Sequence, residues 1–191
     1  MPTNAPNQAS NAEESTSNFP FVGWLRDVAP YIHSFREKTF VIAFAGELVQ
    51  EIGLENLIED IAMLHAMGMR IVLVCGSRPQ VEEQLALRNI APVFHKGWRV
   101  TDLAALECAK EAAGELRLDI EASFSQGLPN TPMAQSEGVR LMGGSLLTAR
   151  PVGVIDGVDF HFAGTVRDVD AETIHHALDN GDIVCLTPIG Y

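Results

Sequence analysis

The sequence predicts an α/β fold built on a covered parallel sheet, and three observations predict it. Segments 39–45 (TFVIAFA), 70–75 (RIVLVC) and 182–186 (DIVCL) are continuous apolar runs of strand length. Continuous rather than alternating apolarity marks strands buried on both faces, the habit of parallel sheets. An amphipathic helical pattern over 54–67 joins the first two runs, which reads as a right-handed βαβ unit.

Taken in order, residues 1–18 hold no large hydrophobe and read as a disordered tail. Residues 19–36 carry Phe21, Val22, Trp24, Leu25, Val28, Tyr31, Ile32 and Phe35, the pattern of a helix interrupted or kinked near Pro30. A helix so apolar ahead of the first strand needs a surface to lie on, either its own domain or another subunit. Gly46 ends the first strand and Gly68 stops the helix at 54–67. Gly76-Ser77-Arg78-Pro79 then leads into a helix over 80–88, and Thr101-Asp102 starts another that runs to about Ser125. Between 139 and 167, short strand-like runs are split by Gly143-Gly144, Asp156-Gly157 and Gly164, which predicts hairpins. A helix over 171–180 stops at Gly181, and the third buried strand follows. The sequence stops soon after it, so that strand is expected to be unpaired at a sheet edge, in a fold cut short and only marginally stable.

Length and charge bound the function. A chain of 191 residues suits one domain with a real core, and 47% hydrophobic residues exclude a disordered polymer. Thirteen basic against 25 acidic residues give a net charge of −12, which argues against nucleic acid or an anionic membrane as partner. Cys75, Cys108 and Cys185 are odd in number and make neither a disulfide framework nor a zinc spacing, so a reducing cytoplasm fits. No run is long enough for a membrane span, and the first basic residue, Arg26, comes too late for a signal or transit peptide.

The best candidate for chemistry is the strand-loop-helix at 70–88. Gly76 permits close backbone approach, and the free N–H groups of the helix end face the crevice where ligands sit in open α/β sheets. Arg78 there could clamp a carboxylate, and Arg99, in Gly97-Trp98-Arg99, could close on the same anion. The residues alone leave open an ordinary βα turn with two solvent-facing arginines. Other sites are excluded: no G-x-G-x-x-G and no G-K-[ST] occur, and Ser145 is in no nucleophile elbow. His175 and His176 are adjacent, so on a helix they diverge and make a poor metal pair. No catalytic or metal residue is expected.

From Phe19 onward the chain resembles the N-terminal amino-acid-kinase-like domain of bacterial N-acetylglutamate synthases. The resemblance is carried by WLRDVAPYIHSFREKTFVIAFAGE (24–47), DIAMLHAMGMRIVLVCGSRPQVEEQL (60–85), GWRVTD (97–102), AAGELRLDIEASFSQGL (112–128) and DGVDFHFAGTVRDVD (156–170). It implies a three-layer α/β/α sandwich of the amino-acid kinase type, incomplete at its C-terminus, with an N-terminal oligomerisation helix at 19–36 and part of the kinase-like domain at 37–191. Related acetylglutamate kinases carry a lysine in the first strand; Ala43 stands at that position here. A cation aimed at the transferring phosphoryl group is thereby missing. Their G-G-G loop is replaced by Gly76-Ser77-Arg78.

The resemblance therefore implies a regulatory and oligomerisation part of a feedback-inhibited enzyme of arginine biosynthesis, acting in the cytoplasm. L-arginine is the implied effector, with Tyr31 as its contact on the helix, and homo-hexamers the implied assembly through Trp24, Leu25, Val28, Ile32 and Phe35. Gly46, Gly76, Ser77, Arg78 and Arg99 would line a degenerate acyl-amino-acid or anion site. Acetyl-CoA is the parent enzyme's substrate, but its signature [RQ]-x-x-G-x-[GA] does not occur, so no acetyltransferase domain, no acetyl transfer and no cofactor are expected here. Two alternatives stand beside this reading: an ATP-dependent phosphotransferase of the acetylglutamate kinase class, and a non-catalytic amino-acid-binding or scaffold module.

Overall fold

Apolar strands and half-apolar helices assemble here as neighbouring layers, seen in a computed structural model that describes residues 20–50, 53–125 and 139–191. The expected tail at 1–18 lies outside the described residues. Two units divide between Arg36 and Glu37. The first holds helix α1 (Pro20–Phe35), which starts on a proline, where a missing N–H costs nothing. It runs unbroken through Pro30, so of the interruption or kink expected there the interruption does not occur. The hydroxyl of Ser34 donates to the Pro30 carbonyl at 2.9 Å. Phe21 and Trp24 sit with ring centroids 6.1 Å apart, both exposed, as is Tyr31.

The second unit is mixed α/β. Its main sheet has strand order β1 (Thr39–Phe44), β2 (Arg70–Cys75), β10 (Ile183–Leu186), β5 (Leu141–Met142), all parallel. The expectation of an unpaired final strand is overturned: β10 lies between β2 and β5, with Ile183, Val184 and Cys185 buried. A run with no alternation is what an interior strand needs, since both of its faces are covered.

A short helix α2 (Glu47–Gln50) follows β1, and helices α3 (Gly53–Ala66) and α5 (Leu103–Ser125) cover one face of the sheet. Leu54, Ile58 and Ile61 from α3 and Leu116, Ile120 and Phe124 from α5 pack on Ile71, Leu73, Cys75, Ile183 and Cys185. Each such side chain contributes about 1.5–3 kcal/mol on leaving water. On the opposite face α6 (Ala171–Asp179) places Ile174, Ala177 and Leu178 against Val72 and Val184. The result is three layers. Asp170 starts α6 by accepting from the Thr173 N–H at 3.0 Å, and Gly181, at φ +79°, follows its end.

Strand β1 departs from the expectation of two covered faces. Its burial alternates, with Val41 67% exposed and Ala43 open beside it, whereas Phe40, Ile42 and Phe44 point into the core. The register aligns Val41, Val72 and Val184, and α6 covers the last two only. An edge strand whose outer row lies beyond the covering helix is apolar on both sides of the pleat without being buried on both.

Helix α4 (Arg78–Leu87) begins two residues before the expected start at 80 and packs Val81 and Leu85 onto Ala105, Cys108 and Ala112 of α5. Those small residues let the helix axes approach. Four short strands and one longer pair complete the unit. Hairpin β3 (Phe94–His95) to β4 (Trp98–Arg99) turns on Lys96 and Gly97, at φ +50° and +81°. Strand β6 (Leu147–Pro151) pairs antiparallel with β9 (Gly164–Val169), and the nested hairpin β7 (Val154–Ile155) to β8 (Val158–Asp159) turns on Asp156 and Gly157, at φ +51° and +81°. Two consecutive positive φ values define the tight turn that suits a twisted hairpin. The hairpins expected between 139 and 167 are thus present. Among the described residues no helix is long and apolar enough to cross a membrane.

Candidate functional site

The carboxyl ends of β1 and β2 open onto a cavity of about 560 Å³, and the loops leaving those strands decide its chemistry. After β1 the chain turns at Gly46, which is buried so closely that a Cβ there would stand 2.7 Å from the Gly76 carbonyl oxygen and 2.9 Å from Pro79 Cδ. The Gln80 amide donates to the Gly46 carbonyl at 2.7 Å, and the Gly76 N–H donates to the Phe44 carbonyl at 2.9 Å. These bonds hold the two loops together beneath the cavity.

Ser77 is buried at the start of α4 and makes no side-chain capping bond. Arg78, the first residue of α4, reaches Glu82 one turn later, Nε to Oε1 at 3.1 Å. Arg99, carried by the β3–β4 hairpin, donates from Nη2 to the same Glu82 oxygen at 3.0 Å. Both guanidinium carbons lie against the Phe94 ring, 5.2 Å from its centroid for Arg78 and 4.8 Å for Arg99. Such stacking favours guanidinium over ammonium. Arg99 has a side chain only 16% exposed, with Nη1 buried and without a hydrogen-bond partner among the described residues, whereas Arg78 is 67% exposed.

Gly46, Gly76, Ser77, Arg78 and Arg99 therefore all line one cavity. The residues expected on the helix, Trp24, Leu25, Val28, Tyr31, Ile32 and Phe35, all fall on α1. Sequence reasoning missed Glu82 and Phe94. The four-residue spacing of Arg78 and Glu82 on a helix was an available signal. Phe94 gave none, because its place under the two guanidiniums depends on the hairpin fold.

A second hollow, of about 610 Å³, opens at the same strand ends and is apolar. Ala43, Val74, Leu147, Val166 and Leu186 are among its lining residues, and among the described residues none that lines it carries a charge. Beneath it Cys75 and Cys185 bring their sulfurs to 3.6 Å. The hydrogen bond between them raises the Cys75 thiol, and burial adds to the rise.

The hairpin tips are joined by charge. Asp156 is held below the usual carboxylate range, first by the Lys96 ammonium and then by His95, whose ring meets Phe160 edge-on. Thr101 also accepts, through its carbonyl, from the Phe162 N–H at 2.9 Å, which fixes the segment carrying Arg99 against the β8–β9 connection. Among the described residues no group of three or more His, Cys, Asp or Glu could hold a metal ion.

Comparison with known proteins follows the same lines. The family model for the amino acid kinase family matches residues 38–191. The amino-acid acetyltransferase of Ralstonia nicotianae is 64% identical over 171 residues, which is 90% of this chain and 38% of the relative. N-acetylglutamate synthase from Neisseria gonorrhoeae, solved in complex with coenzyme A and L-arginine, superposes with a TM-score of 0.80 at 34% identity over 91% of this chain and 40% of the other. The same synthase solved with coenzyme A and N-acetyl-glutamate gives 0.77 at 35% identity, over 91% and 38%. The chain thus spans about two fifths of the length of these relatives.

Proposed function

The chain belongs to the amino acid kinase family, and on that premise we propose that it is the N-terminal regulatory and oligomerisation part of an N-acetylglutamate synthase, without catalysis of its own. The parent reaction would move an acetyl group from acetyl-CoA to the α-amine of L-glutamate, in the cytoplasm, at the entry to arginine biosynthesis. The observation that carries the reading is the apolar second hollow. Phosphoryl transfer develops charge that must be met by cations and oriented N–H groups. The strand position that would aim a cation there is Ala43, and among the described residues no lining side chain replaces it. Losing such a cation removes several kcal/mol of transition-state stabilisation, on the order of a hundredfold or more in rate.

The regulatory half of the proposal is supported by the 64% identity to an amino-acid acetyltransferase and by the neisserial synthase solved with L-arginine. L-arginine is accordingly the proposed effector, with Tyr31 on α1 as one contact. The exposed apolar side chains of α1, Trp24 and Leu25 among them, are proposed to build a homo-oligomer, a hexamer by resemblance. Gly46, Gly76, Ser77, Arg78 and Arg99 are proposed as the remnant of an acyl-amino-acid site. The test is direct: the purified chain with ATP, magnesium and N-acetyl-L-glutamate is expected to form no ADP above the no-substrate control. Stoichiometric phosphorylation of N-acetyl-L-glutamate would overturn the non-catalytic reading in favour of a kinase.

A further inference from the structure

The two guanidiniums that line the first cavity already have a carboxylate, and it belongs to the chain. We propose that Glu82 is an internal ligand of the Arg78–Arg99 pair, engaging from behind the two arginines that line the cavity, so that an external carboxylate takes the same donors only where Glu82 is displaced. The inference deepens the reading above and rests on it, since a working acyl-amino-acid site would have to keep those arginines free.

Three observations carry it. First, one oxygen of Glu82 takes the donors from both sides, Arg78 Nε at 3.1 Å and Arg99 Nη2 at 3.0 Å. A ligand carboxylate bridging the pair through Arg78 Nε and Arg99 Nη2 would have to displace Glu82. Second, the pair is built rather than incidental: both guanidiniums share the Phe94 ring, and Arg99 is mostly buried and held by a hairpin tied down through the Phe162 to Thr101 bond. Third, Glu82 stands one helical turn after Arg78 on α4, so it competes as a tethered group at high effective concentration, whereas a free anion must be drawn from solution.

The charge count says what happens without it. Arg78, Arg99 and the carboxylate of Glu47 line the cavity, and Glu82 is the carboxylate that pairs with both arginines, in a chain of net charge −12. Deleting Glu82 leaves two like charges beside one ring, with Arg99 Nη1 already short of a partner among the described residues. A site in that state recruits a carboxylate.

The test is a calorimetric titration of the 191-residue chain with N-acetyl-L-glutamate, beside E82A, E82Q and E82A/R99A, with a thermal melt of each to establish folding. The parent chain is expected to show no saturation up to about 10 mM, against an effective concentration of the same order for its own carboxylate. E82A and E82Q should bind at least about tenfold tighter, and the double variant should lose the gain. E82Q keeps the size of the side chain and decides the matter should E82A fold poorly. Folded variants that bind no tighter than the parent, or a parent that saturates as tightly as they do, would overturn the internal-ligand role. Phosphorylation of the probe in the presence of ATP would instead sink the non-catalytic reading, so the two failures are read from different signals.

Discussion

Placing a methyl group on Gly46 should cost this fold more than any other glycine-to-alanine change at its strand ends. The Cβ of G46A would sit 2.7 Å from the Gly76 carbonyl oxygen and 2.9 Å from Pro79 Cδ, with the Gln80 side chain closer still. Gln80 can swing away, but it then loses its 2.7 Å bond to the Gly46 carbonyl. The other two neighbours are a backbone oxygen and a proline ring, which move only with the loop. Overpacking of this kind costs about 1–3 kcal/mol. For a unit of this size about 2 kcal/mol lowers the melting temperature by roughly 4–8 °C. Gly114, inside α5 with nothing within 4 Å of its would-be Cβ, supplies the opposite sign: G114A gains helix propensity and should be about 0.5–1 kcal/mol more stable. Differential scanning calorimetry of both variants and the parent tests the pair. A G46A melt within 1 °C of the parent, or one above that of G114A, would refute the close loop-to-loop approach on which the cavity floor depends.

Other outcomes follow from the same geometry. Asp170 is held below the usual carboxylate range by the Thr173 N–H and then by its hydroxyl, so its contribution is present above the ordinary carboxylate value of about 3.9 and is lost as pH falls through the lower folded value. The D170A variant should accordingly lose less stability than the parent on acidification, as melts across that range would record. Cys75, Cys108 and Cys185 are free and buried, so Ellman's reagent should label none of them in the folded unit and all three in guanidinium; fast native labelling would contradict the packing. If α1 builds the proposed oligomer, W24A/L25A should shift sedimentation toward the monomer without changing the melt of residues 37–191; unchanged sedimentation would remove that role.

The sheet was legible where local pattern suffices. The three apolar runs and the helix between the first two form β1, β2, β10 and α3 because strand and helix periodicities are written in neighbouring residues. Neighbourhood across the sheet is not: nothing within 183–186 says that it slots between β2 and β5, and the expectation of an open final strand failed there. The continuous run of β1 was equally silent about which face a helix would cover, and Val41 stayed exposed. At the site, Gly76 and Arg78 could be placed because a loop between strand and helix has a known position relative to the sheet. That Arg99 joins them depends on a two-residue turn at Lys96-Gly97, whose positive φ pair was readable only as a glycine after a polar residue. Glu82 went unread because a carboxylate on a helix is ordinarily a solvated one.

The interior place of β10 also sets the order in which the molecule can be made. Cys75 on β2 and Cys185 on β10 are 110 residues apart, yet their sulfurs touch in the core. A ribosome adding about 5–20 residues per second delivers the inserted strand roughly 5–20 s after β2 has emerged. Over that interval β1 and β2 pair with one edge open, and Leu73 and Cys75 have no β10 beside them. Pairings of such long sequence separation fold slowly, because loop closure precedes any contact that rewards it. Until its middle strand arrives the nascent sheet keeps an open edge, a state in which association competes with correct pairing.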